Sequence, residues 1–154
     1  MRALFWAFSL VALATNAFAD AHDHPWVEKE ARSYLAACDY PVGSPEDRDC
    51  RPRQEAFVLI YQDAYSGRPF AQRAVAAAFM KGNLGLPINK IQGCAWNIVA
   101  VFGQPTKPSD DEKMEAIRFC QTAGYAGTQA AQTRAAAIMG AILAIRLNSP
   151  DPPI

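Results

Sequence analysis

Apolar residues along the chain recur three and four positions apart, the spacing of a helix that buries one face. Val27, Ala31, Tyr34, Leu35 and Cys38 form one such set. Phe57, Ile60, Tyr61 and Ala64 form a second, and Ala71, Ala74, Val75, Ala78, Phe79 and Gly82 a third. Ile91, Cys94, Ala95, Ile98 and Phe102 follow, then Ala116, Phe119, Cys120 and Ala123. The last set is Ala131, Ala135, Ile138, Met139, Ile142 and Ile145. No segment alternates with period two over a useful length, so no sheet is expected.

The residues between these sets are helix punctuation. Pro25, Pro52 and Pro69 suit a first turn, where a missing N–H removes no bond. Asn89 and Thr128 are potential N-caps, and Ser109 stands three residues before Glu112, the spacing of a capping box. Gly67, Gly82 and Gly124 suit helix ends, and Pro150 lies just past the last set. The pattern predicts an all-α fold with helices at 25–38, 52–66, 69–82, 89–103, 110–123 and 128–147. Residues 135–145 are apolar throughout, between Arg134 and Arg146, and too few to span a bilayer. An all-round apolar helix reads as a core or closing helix. Ala136, Gly140 and Ala144, four apart, would also let a second chain approach closely.

The first 19 residues read differently. Arg2 precedes an apolar run at 3–14 broken only by Ser9, and Ala17-Phe18-Ala19 supplies the small residues a signal peptidase reads. The pattern predicts a secretory signal at 1–19, cleaved before Asp20, and a single domain at 20–154. The apolar run is shorter than the roughly 20 residues of a spanning helix, which argues against an uncleaved anchor. The expected location is periplasmic or secreted.

Export changes the reading of the cysteines. Cys38, Cys50, Cys94 and Cys120 all follow the leader, and an even count in an exported chain suggests two disulfides. Cys38 and Cys50 are centred on the turn-rich Pro41-Val42-Gly43-Ser44-Pro45, and Cys94 and Cys120 on Gln104-Pro105-Thr106-Lys107-Pro108. Residues equidistant from a helix–helix loop lie side by side, so the expected pairs are Cys38–Cys50 and Cys94–Cys120.

Composition narrows the function classes. Of 154 residues, 51% are hydrophobic, and fifteen basic residues balance fifteen acidic ones. Such a chain folds, and it lacks the basic excess that nucleic acid attracts. No His follows His24, so a Ser–His–Asp or Cys–His set would need the extreme N-terminus to fold back onto the body. Asp110-Asp111-Glu112 fits the positive end of a helix, and no catalytic group emerges.

Residues 67–100 carry a longer pattern. Gly67-Arg68-Pro69-Phe70-Ala71-Gln72 opens a small-residue helix ending in Phe79-Met80-Lys81-Gly82. Gly85-Leu86-Pro87-Ile88-Asn89 follows, then Ala95-Trp96-Asn97 on the next helix. This resembles the Sel-one-like repeat family, a branch of the tetratricopeptide-like helical repeats, with its clearest unit at about 67–103. A fainter echo, Gly124-Tyr125-Ala126-Gly127-Thr128-Gln129, begins 57 residues after Gly67, longer than the family's usual period. The resemblance implies a short right-handed stack of antiparallel helix hairpins, an α-solenoid, whose members mostly bind other proteins. It implies a non-catalytic binding module with an unidentified protein partner in the cell envelope. Exposed groove positions would include Gln72, Arg73, Gln129 and Gln132. Trp96 is expected in the core.

An alternative lies at the mature N-terminus. Cleavage before Asp20 would leave Asp20-Ala21-His22, which resembles the amino-terminal copper- and nickel-binding motif. An amine, two backbone amides and the His22 imidazole can enclose Cu(II) or Ni(II) in a square plane.

Overall fold

The computed structural model of the protein describes residues 21–147. The expected leader at 1–19 and Asp20 lie outside the described residues. A 3-10 turn, Ala21–Asp23, precedes six α-helices: α1 (Pro25–Ser33), α2 (Pro45–Tyr65), α3 (Pro69–Lys81), α4 (Lys90–Phe102), α5 (Asp110–Gln121) and α6 (Gly124–Arg146). There is no strand among the described residues.

Local chemistry sets most of the ends. The Asn89 side chain accepts from the Gln92 N–H and caps α4. Ser109 and Glu112 form the expected capping box, each side chain bonded to the other's backbone. That backbone bond and the Ser109 hydroxyl hold the Glu112 carboxyl below its ordinary range. Gly82 ends α3 in the left-handed region, at φ 64°.

Three boundaries differ from the sequence reading. The first helix ends at Ser33 rather than at 38, because the chain beyond Tyr34 bonds elsewhere. Ala36 N–H donates to Gly85 O at 2.9 Å, and the Gln54 amide donates to Ala36 O at 2.6 Å. The second helix starts at Pro45, capped by Ser44, whose side chain accepts from Asp47 N–H. Pro52 therefore stands inside the helix, where it offers no N–H to the Arg48 carbonyl. The last helix starts at Gly124, and Thr128 does not cap it. The Thr128 hydroxyl donates back to Gly124 O at 2.8 Å instead.

Neighbours in sequence pack together from α1 to α4, and both α5 and α6 then pack against α4. Helix α4 is thus central. Cys94, Ala95, Trp96 and Val99 are fully buried on it, while Ile91 and Phe102 are exposed. The buried face is rotated from the expected one, toward Trp96 and Val99. The tightest approach of α3 to α4 is at Gly93. A Cβ there would fall 2.6 Å from the Met80 side chain and 3.1 Å from Ala76 O. Trp96 is the core residue the sequence suggested. Its ring meets Tyr61 at 5.2 Å and Tyr65 at 5.1 Å, edge to face in both cases. Trp26 closes on Tyr65 at 5.2 Å, and Tyr34 and Phe57 close on Phe79. Such pairs contribute about 0.5–1.5 kcal/mol each beyond their buried area. Four helices are joined through this one cluster.

Both expected disulfides are present, Cys38–Cys50 with Cα atoms 6.0 Å apart and Cys94–Cys120 with Cα atoms 4.8 Å apart. The second joins α4 to α5 across their loop, as helix symmetry requires. The first ties the loop after α1 to the start of α2, so its pairing holds although its geometry is not that of two helices. Chain-entropy arguments give about 3 and about 3.5 kcal/mol for the two bridges. Cys94 and Cys120 are buried, whereas Cys38 and Cys50 are half-exposed. Mild reduction of the native protein, followed by alkylation and mass mapping, is expected to open Cys38–Cys50 first. Cys94–Cys120 should resist until the fold is denatured. Equal rates would contradict this order.

Candidate interaction groove

The chain turns from α5 to α6 within Thr122 and Ala123, yet the two helices share little contact. They splay from their joint, and α4 forms the floor between them. The wedge is a groove of about 380 Å³. Ile98 and Phe102 rise from the floor, Ile117 and Cys120 form one wall, and Thr128 and Gln132 form the other. No side chain lining it titrates, since Cys120 is in a disulfide. Phe102 and Ile117 are about half exposed, which is unusual for large apolar residues gathered at one place. A second hollow of about 320 Å³ shares Phe102 and continues along α6 past Met139 and Leu143 to Arg146.

An ion pair ties the middle of α6 to α1. The Arg134 guanidinium donates to Glu30 of α1 and lies 3.4 Å from the Tyr34 hydroxyl. The Tyr65 hydroxyl donates to the other Glu30 oxygen at 2.8 Å. Burial lowers the Arg134 pKa from its ordinary value. Burial raises the phenols of Tyr34, Tyr61 and Tyr65, which therefore stay protonated and available to donate at neutral pH.

A larger cleft lies elsewhere, about 580 Å³ beside the Cys38–Cys50 bridge. It is polar, and its Asp49 is already paired with Arg53 at 3.1 Å. Its rim includes Leu84, a non-glycine residue at φ 57°.

The residues expected at a binding surface are divided. Gln72 is a correction: it is 1% exposed and unavailable to a partner. Its amide donates to Ala64 O at 3.2 Å and its oxygen accepts from Gln104 at 2.9 Å. Arg73 is exposed on α3 and lies 3.6 Å from Glu112. Gln129 and Gln132 are exposed together on α6, Gln129 bonded to the Tyr125 hydroxyl and Gln132 on the groove wall. The sequence reading counted Phe102 as core and passed over Ile117. A second apolar spacing on α5, Met114 to Ile117, was the available signal.

At the N-terminus, Asp20 lies outside the described residues. Ala21 is fully buried, and its N–H donates to the Ser66 hydroxyl at 2.9 Å. His22 Nε2 lies 3.3 Å from Asp63 Oδ1. A square-planar metal would take the Ala21 nitrogen without its proton, so metal binding there excludes the Ser66 bond. Among the described residues no group of three or more His, Cys, Asp or Glu side chains is placed to hold a metal ion. No helix among them is long and apolar enough to cross a membrane.

No family model, curated protein or solved structure matches the chain.

The Glu30–Arg134 pair spans 104 positions and only part of it is shielded from water, so its strength lies between surface and buried limits. Arg134→Met and Glu30→Gln are each expected to destabilise the fold by about 1–3 kcal/mol in denaturant titrations. The double variant should lose less than the sum of the two, because neither charge is then left unpaired. Strict additivity would show that the two side chains act independently.

Proposed function

We propose that the chain is an exported, non-catalytic protein-binding module. One observation carries this reading: the α4–α5–α6 groove presents half-exposed Phe102 and Ile117 between walls that bear no titratable group. Such a surface receives apolar side chains and offers no acid, base or nucleophile. No His lines this groove. Export is supported by the leader pattern at 1–19 and by two disulfides, which persist in oxidising compartments. The resemblance of 67–103 to a Sel-one-like unit fits a module of this kind, with α3 and α4 as its helix pair. The working surface is then the wedge between α5 and α6, not the α3 face that Gln72 would have marked.

Replacement of Phe102 by a photocrosslinking phenylalanine analogue in the native cell tests this. A discrete crosslinked protein is expected from position 102. None is expected from position 42, where Val42 is fully exposed on the loop between α1 and α2 and does not line the groove. Ile117→Glu should reduce the crosslink at least about tenfold, the effect of losing about 1.4 kcal/mol of binding. Equal labelling from both positions, or none from 102, would contradict the reading.

A further inference from the structure

We propose that the protein pairs with a second copy of itself through the outer face of α6, in antiparallel register about Ala136. This rests on the binding reading above and names a partner for the α6 side of the wedge. Helix α6 carries only two charged residues along its length, Arg134 and Arg146, and Arg134 is turned inward to Glu30. At 100° per residue, Tyr125, Gln129, Gln132, Ala136, Leu143 and Leu147 fall within an arc of about 60°. The buried residues Ala131, Ala135, Ile138 and Ile142 lie on the other side. An apolar helix of this kind is ordinarily covered all round. Here Tyr125, Leu143 and Leu147 are 81%, 58% and 72% exposed.

The stripe is complementary to itself. Ala136 lies eleven positions from both Tyr125 and Leu147, seven from both Gln129 and Leu143, and four from both Gln132 and Gly140. A two-fold axis at Ala136 therefore sets Tyr125 of one copy against Leu147 of the other and Leu143 against Gln129, with Ala136 at the crossing. Self-complementarity of one patch is what an isologous dimer requires. Antiparallel helices also oppose their dipoles and place the two Arg146 side chains at opposite ends, whereas parallel helices would bring them together. Phe102 and Ile117, 46% and 51% exposed, line the groove that Gln132 of the stripe also walls. At about 200 Å² per large side chain, the exposed part of these five amounts to about 600 Å² per chain, to which Gln129, Gln132 and Ala136 add. A stable interface covers about 800 Å² per partner.

Sedimentation velocity of the purified protein from about 1 to about 200 µM reads the association. A dimer with a micromolar or tighter constant is expected. Ala136→Arg should weaken it at least tenfold. Ala137→Arg, one residue on and exposed on a different side of the helix, should leave it unchanged. Leu143→Lys should also weaken it, and adding Gln129→Glu should restore it, since the proposed register brings 143 of one copy against 129 of the other. A monomer at every concentration overturns the proposal, and so does equal sensitivity to Ala136→Arg and Ala137→Arg. Failure of Gln129→Glu to restore the dimer overturns the antiparallel register. A monomer that still crosslinks to a different protein through Phe102 would overturn self-pairing and leave the binding reading standing.

Discussion

Tyr61 and Tyr65 of α2 press against the ring of Trp96 on α4, and most of the architecture is tied to that contact. It joins two helices that are not consecutive in the chain, with α3 held between their ends of sequence. Trp26 extends the cluster to α1 through Tyr65, and Tyr34 and Phe57 extend it to Phe79 of α3. Rings in edge-to-face contact tolerate little change of distance or tilt, so the cluster fixes orientation as well as burial. Gly93 serves the same end, since any side chain there would push α4 away from Met80.

From this frame the outer helices take their positions. Cys94 anchors α5 to α4 through Cys120, and the Glu30–Arg134 pair draws the first half of α6 toward α1. The two restraints pull α5 and α6 in different directions from a short joint. The wedge between them is the geometric result. Its apolar lining is therefore a place where the fold leaves large side chains uncovered while the core itself is well filled. The proposal of a binding role rests on that combination. The dipoles and charges near it, such as the capping box at Ser109, serve the helix ends.

Much of the helix pattern was legible in the sequence because it depends on neighbours three and four residues apart. Ser109 with Glu112, Asn89 and Gly82 marked helix ends by local hydrogen bonding alone. The Cys94–Cys120 pair followed from symmetry about one loop. Features set by tertiary contact were harder to read. Pro52 looked like a helix start, yet the Ser44 cap and Pro45 begin the helix earlier and carry it through. Gln72 looked like a surface residue, but Ala64 and Gln104 provide it with buried partners. Phe102 shares a helical face with Cys94, and nothing local reveals that the covering helices diverge before reaching it. Glu30 and Arg134 carry no mutual signal at all across 104 positions.

The aromatic frame of α2, α3 and α4 carries α5 at its edge, held by one disulfide and by less packing than the frame helices have. Native-state hydrogen exchange on the oxidised protein tests it most directly. Amides around Tyr61, Phe79 and Trp96 should share one opening free energy, equal to that of global unfolding, while α5 opens at a distinctly lower one. Amides of α2 that exchange well below those of α4, or an α5 as protected as the frame, would contradict the account.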